Sequence, residues 1–212
     1  MTHRHSTRRR TGFPPARLVA GALLASALAG CGGGGNPFDN PPDVNNPLGT
    51  TGQKLSFAYF QKCINPILLA RLQINQGGQV STNTCAASGC HDNTNGTGGA
   101  LRIVPGAAAV DLADPGNTPE AIRASDMYKN FYSAQGSVVI GQPTQSRLLA
   151  KPLLLNMLHG GGLIFDDEQD PNARLIAYWI SRPVAQGQDE FGSAGNGMVT
   201  PPDPVSGSCN TL

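Results

Sequence analysis

The sequence has few charged and few aromatic residues. Asp, Glu, Lys and Arg make up 14% of its 212 residues, and Phe, Trp and Tyr make up 6%. A typical soluble domain has about a quarter charged residues. This composition does not obviously supply a large, tightly packed apolar core. A cofactor with its own apolar surface would help such a chain to fold, although composition alone selects none.

Acidic residues are absent before Cys31, where all five charged residues are Arg. The chain that follows carries ten basic and fourteen acidic residues, a net charge of −4. A mildly acidic chain gives no support to nucleic-acid binding, and we expect no nucleic-acid partner.

Residues 1–30 have the pattern of an export signal. A positive region, Arg8–Arg10 with Arg17, precedes an apolar stretch at 18–29 that is too short to span a bilayer comfortably. It ends in Leu-Ala-Gly-Cys31, which resembles the lipobox of bacterial lipoproteins. The resemblance implies a lipid on Cys31 and a cell-envelope protein, lipid-anchored to a membrane and facing the periplasm or cell surface. The alternatives are an ordinary signal peptide with a chance cysteine, and a signal anchor.

Composition divides the rest of the chain into three parts. A Gly/Pro/Asn-rich flexible tether at 31–51 suits a lipid anchor, and a Gly/Ser/Pro-rich stretch at 184–212 predicts a loose tail. Between them, 52–183 shows apolar residues at helical spacing at 53–73, 118–134 and 170–182, with a further short helix at 143–151. We therefore predict a mostly α domain with long loops, a disordered tether and a disordered tail.

The sequence Cys85-Ala-Ala-Ser-Gly-Cys90-His91 carries the functional prediction. In c-type haem attachment, two thiols bond to the porphyrin vinyl groups and the adjoining His ligates the iron. The usual motif has two residues between the cysteines, whereas this one has four. All four are small, so the additional length can bulge away from a haem.

Other interpretations of this motif remain open. Cys85 and Cys90 could form a disulfide in an oxidising compartment. Zinc would require four N or S ligands, and no second Cys/His pair lies nearby in the sequence. A catalytic cysteine would not require the pairing.

The flanking segments resemble a group of bacterial cytochrome c domains. The matching pieces span about residues 59–183 and are Asn65-Pro-Ile-Leu68, Gly89-Cys-His91, Pro143-Thr-Gln-Ser146-Arg-Leu-Leu149, His159-Gly-Gly-Gly162 and Trp179-Ile180. The resemblance implies a cytochrome c-like helical fold, one haem c (iron) per chain, electron transfer and redox partner proteins. The segment between Leu101 and Gly141 matches least.

His159 is the first candidate for the second axial ligand. Signal removal would leave only His91 and His159, and His159 precedes three glycines that allow a flexible ligand loop. Met157 is its direct rival, and the choice matters because His/Met ligation raises the reduction potential. Two axial ligands leave no open iron position, so we predict a carrier and no enzyme.

Cys63 and Cys209 remain, and in an oxidising compartment two spare thiols tend to pair. Their disulfide would hold the tail against the domain, and the alternative is two free thiols. The rival functional hypotheses are a haemless structural or binding lipoprotein braced by disulfides, and a haem enzyme such as a peroxidase with an open distal face.

Overall fold

The structure is a computed structural model and describes residues 52–212. The predicted signal peptide, the lipid site Cys31 and the tether lie outside the described residues. Among the helices of the described part, none combines the length and the apolar character needed to cross a membrane.

The first helical segment contains a change of helix type. It consists of α1 (Phe57–Tyr59), a π-helical stretch (Phe60–Ile64) and α2 (Asn65–Leu69). The hydroxyl of Ser56 accepts a hydrogen bond from the Tyr59 N–H at 3.2 Å and so caps the start. Pro66 lies in the first turn of α2, where a missing N–H costs least, and the helix changes type just before it.

A predicted helix over 118–134 is divided into α3 (Pro119–Ala124) and α4 (Asp126–Gln135). Ser125 has an extended backbone, and its hydroxyl accepts from the Tyr128 N–H at 3.1 Å, so it caps a second helix. A 3₁₀ turn (Pro143–Gln145) and α5 (Arg147–Ala150) follow.

The last helix, α6 (Pro171–Ser181), confirms the helix predicted at 170–182. The Asp170 carboxylate accepts from the N–H groups of Asn172 and Ala173, at 2.7 and 3.2 Å. Near the other end of α6, the indole N–H of Trp179 donates to the Ser56 carbonyl at 3.0 Å. This bond joins α6 to the residue that caps α1.

An aromatic cluster forms the centre of the core. The ring of Phe131 lies 5.4 Å from Phe57, 5.6 Å from Phe60 and 6.2 Å from Trp179, each at a steep angle. All four side chains are fully buried. Edge-to-face packing of this kind adds to the stabilisation that comes from burial alone.

The prediction of a mostly α, cytochrome c-like fold is wrong. Residues 52–212 are 32% helical, in short helices, and contain two small sheets. Strands β1 (Leu72–Gln76) and β2 (Gln79–Asn83) form an antiparallel hairpin in a segment predicted as helix end and loop. The reason is local: Gly77 and Gly78 take positive φ values of 60° and 86°, which suits a two-residue hairpin turn.

The prediction of a loose tail is also wrong. The Phe57 N–H donates to the Glu190 carbonyl at 2.9 Å, and Glu190 and Val199 are buried. A 3₁₀ segment (Ser193–Met198) leads into β3 (Val199–Thr200), which pairs with β4 (Ser208–Cys209). A disulfide joins Cys63 to Cys209 with a Cα–Cα distance of 6.0 Å. These long-range contacts order a segment whose composition alone resembles a disordered one.

Candidate haem site

The loop that carries the cysteine motif folds into consecutive turns. The Cys90 N–H donates to the Ala87 carbonyl at 2.8 Å, and the His91 N–H donates to the Cys85 carbonyl at 2.9 Å. The additional residues of the motif are therefore taken up by local hydrogen bonding, and His91 returns to the start of the loop. Ala86 is buried against the core, which fixes the loop to the domain.

Both cysteines of the motif are free thiols and partly buried. Burial and the neighbouring Cys90 raise the pKa of Cys85 to about 11. The Cys85 thiol is therefore protonated at neutral pH. The side-chain amide of Asn83 lies 3.9 Å from the Cys90 sulfur, so the end of β2 adjoins the second thiol.

Backbone contacts fix the ring of His91. The Ile103 N–H donates to the His91 carbonyl at 2.7 Å, and Ile103 is fully buried. The Leu101 carbonyl lies 3.1 Å from Nδ1, so Nδ1 carries the proton and Nε2 is left as the acceptor. A Cβ on Gly98 would lie 2.7 Å from the ring, so glycine allows the chain to pass there.

His159 has a corresponding arrangement in another loop. Its Nδ1 lies 2.8 Å from the Gly162 carbonyl, which again assigns the proton to Nδ1 and leaves Nε2 free to bind a metal. Leu154 and Asn156, in the segment that leads to His159, both have φ of 53°. Left-handed backbone is costly for non-glycine residues and is concentrated at functional sites.

The structure brings the two imidazoles together. Their ring centres lie 6.4 Å apart and their planes differ by 14°. Two imidazoles that shared one metal through bonds of about 2.0–2.1 Å would have their ring centres at most about 6.5 Å apart, because the distance from nitrogen to ring centre adds to each bond. The observed separation fits that arrangement.

Burial keeps both imidazoles neutral. Burial lowers the pKa of His91 to about 4, although its hydrogen bond to the Leu101 carbonyl acts to raise the pKa. The nearby His159, Lys151 and Arg102 also lower it. Burial also lowers the pKa of His159, against the opposing effect of the Gly162 carbonyl. A neutral imidazole is the form that ligates a metal, so both side chains are ready at neutral pH.

The donor set matches a haem better than a bare metal ion. Within residues 52–212, no three or more His, Cys, Asp or Glu side chains are grouped so that they could hold a metal ion. A haem iron takes four bonds from its porphyrin, so two imidazoles are the whole contribution required from the protein. The two free thiols of the same loop suit covalent attachment of the porphyrin.

The other predicted residues lie in different places. Met157, the rival ligand, is partly buried two residues before His159, and it is the His159 ring that pairs with His91. Cys63 and Cys209 form their disulfide on the first helical segment and β4. Sequence reasoning missed the carbonyls of Leu101 and Gly162, and the only signals for them were the glycines near each histidine.

Comparison with known proteins adds no relative. No family model, no curated protein and no solved structure matches this chain. The resemblance to cytochrome c domains therefore stays a prediction, and only the site itself indicates a function.

Proposed function

We propose that the protein is a monohaem electron carrier, with haem c bound covalently through Cys85 and Cys90 and ligated by His91 and His159. The observation that carries the proposal is the pair of nearly parallel imidazoles, whose ring centres lie 6.4 Å apart, with two free thiols on the loop that carries His91. The proposal does not require a cytochrome c-like fold. It requires only this arrangement of side chains.

The chain's own residues supply attachment and orientation. Cys85 and Cys90 would hold the porphyrin through thioether bonds, each S–H adding across one vinyl group so that sulfur and hydrogen end on neighbouring carbons. Nδ1–H bonds from His91 and His159 to backbone carbonyls hold each ring in one tautomer and one direction. Bound haem supplies a single iron that gains and loses one electron.

His91 and His159 would both ligate the iron, which is why we propose a carrier and no enzyme. With both of these ligands supplied by the chain, no iron position would be open to a substrate. Two nitrogen ligands usually leave the potential lower than His/Met ligation does. The partners are then redox proteins, and the location is the cell envelope, with the lipid on Cys31 as the membrane anchor.

The attachment test uses the chain made together with a c-type maturation system. We expect a pyridine haemochrome and the mass gain of one haem in the wild type, and loss of the covalent haem in Cys85→Ser/Cys90→Ser. Ser88→Ala is the matched control, because it changes an exposed residue of the same loop and leaves both thiols and His91 intact. A colourless wild type, or a tryptic peptide with Cys85 joined to Cys90, would favour the haemless, disulfide-braced lipoprotein.

The ligand test compares His159→Ala with Met157→Leu. We expect His159→Ala to bind carbon monoxide in the ferrous state, because an iron position is freed, and Met157→Leu to keep the wild-type spectrum. The reverse result would identify Met157 as the ligand. Carbon monoxide binding by the wild type would instead support the peroxidase-like alternative with an open distal face.

A further inference from the structure

The hairpin β1–β2 precedes both proposed ligand loops in the chain and contacts each of them. Strand β2 ends at Asn83, two residues before Cys85. The other strand, β1, contacts the His159 loop: the Asn75 N–H donates to the Leu163 carbonyl at 2.9 Å, and the Leu163 N–H donates to the Asn75 carbonyl at 2.8 Å. The side-chain amide of Gln76 adds a bond to the Gly160 carbonyl at 3.0 Å.

The three glycines after His159 have different surroundings. Gly162 is buried, has φ of 75°, and a Cβ there would lie 2.5 Å from the Asn75 carbonyl oxygen. A Cβ on Gly161 would lie 3.0 Å from the His159 ring, whereas a Cβ on Gly160 would meet nothing within 4 Å. Only Gly162 combines a backbone conformation that favours glycine with a close approach to the hairpin.

Gly162 is also the hydrogen-bonding partner of the ligand. Its carbonyl accepts from His159 Nδ1 at 2.8 Å, and its N–H donates to the His159 carbonyl at 2.9 Å. One residue thus closes the turn, orients the imidazole and abuts Asn75. Any shift of Gly162 away from the hairpin would move its carbonyl, which accepts from Nδ1 of His159 and so orients the imidazole.

We infer that the contact between Gly162 and Asn75 holds His159 opposite His91. The hairpin thereby fixes the position of the second proposed ligand relative to the loop at 85–91. Gly162 and Asn75 are positioning residues, since neither reaches the iron. This inference rests on the proposed haem ligation, because the position of His159 affects the iron only if His159 is its ligand.

The test compares Gly162→Ala with Gly160→Ala in protein that carries covalent haem. Both add one methyl group to the same loop, but only Gly162→Ala meets the Asn75 carbonyl. We expect Gly162→Ala to retain covalent haem and to have a shifted reduction potential. We expect the fraction of ferrous protein that binds carbon monoxide to be at least tenfold that of the wild type. We expect Gly160→Ala to match the wild type in all three measurements.

A second variant and a second measurement protect the test against misfolding. Gln76→Ala removes only the bond to Gly160 and should give a smaller change in the same direction, with an unchanged melting temperature. Hydrogen exchange of the peptide that contains Leu163, which needs no haem, should be faster in Gly162→Ala than in Gly160→Ala.

The outcomes separate the two proposals. Covalent haem in every variant, with identical spectra and exchange for Gly162→Ala and Gly160→Ala, overturns the positioning role and leaves the carrier proposal intact. Wild-type protein without haem overturns the carrier proposal and this inference with it. Equal loss of the second ligand in both glycine variants overturns the positioning role, since the Asn75 contact would then not matter.

Discussion

The aromatic core and the two histidine loops are held in place in different ways. Around Phe131, large rings contact one another directly, and order comes from side-chain packing. Around His91 and His159, glycine-rich turns provide backbone carbonyls that aim two side chains. Stability and the proposed function thus depend on different kinds of contact. Substitutions should therefore separate into those that change unfolding and those that change the haem spectrum.

The largest effect on stability should come from removing the disulfide between Cys63 and Cys209. Cys63 is buried, and its partner Cys209 is 146 residues away along the chain. Closing so long a loop limits the unfolded chain, and the chain-entropy model gives about 5 kcal/mol for its loss. Chemical denaturation of Cys63→Ser/Cys209→Ser against wild type measures this. A change below about 1 kcal/mol would contradict it.

Truncating the central ring should have the next largest effect. Phe131→Ala leaves a cavity among four aromatic side chains and should cost about 3–5 kcal/mol in unfolding free energy. Tyr132→Ala is the matched control, because the neighbouring ring on α4 is 63% exposed. Urea denaturation of both variants gives the comparison. Equal losses would show that burial at this position does not determine stability.

A smaller effect is expected for the ion pair that holds the tail. The Glu190 carboxylate accepts from Arg123 at 3.0 Å and from the Tyr128 hydroxyl at 2.7 Å. Glu190→Gln should cost about 1–2 kcal/mol, at the low end for a charged hydrogen bond, because Arg123 is 40% exposed. Exposed Glu168 supplies the control, Glu168→Gln.

The same pair gives a pH dependence. Burial alone would raise the pKa of Glu190, but hydrogen bonds from the backbone, Tyr128 and Arg123 lower it overall. A lowered pKa in the folded state means that this stabilisation is present above the ordinary glutamate pKa and is lost as pH falls through the folded value. Melting curves of wild type and Glu190→Gln should converge at acidic pH. A difference that grows on acidification would contradict this.

The smallest effect on stability should come from the ligand side. Leu158, next to His159, is 93% exposed, so Leu158→Ser should change unfolding by less than about 0.5 kcal/mol. Urea denaturation measures it. A large loss here would contradict the prediction, because it would mean that the ligand loops also contribute to the stability of the core.

Local signals in the sequence predicted some elements well. Asp170 followed by Pro171 is typical of a helix start, with a capping residue and then proline in the first turn. The helix α6 begins at Pro171. The sequence also predicted the pairing of His91 with His159, because these are the only two histidines after the predicted signal peptide. The hairpin was missed, since apolar Leu72 also fits the helical pattern before it and only the glycine pair indicates a turn.

The remaining features depend on long-range contacts that one sequence does not reveal. Glu190 orders the tail through Arg123, 67 residues earlier. The carbonyls of Leu101 and Gly162 orient the two imidazoles, but every residue has a carbonyl, so residue identity carries no signal for an acceptor of this kind.

The bond between Cys63 and Cys209 turns most of the described chain into a covalent ring. Cys85, Cys90, His91 and His159 all lie within it. One cut by a protease in either ligand loop would open the ring without releasing a fragment. The nicked molecule would migrate as a single species until a reductant separated its pieces. In a compartment rich in proteases, both ligand loops would stay attached to one body after such damage.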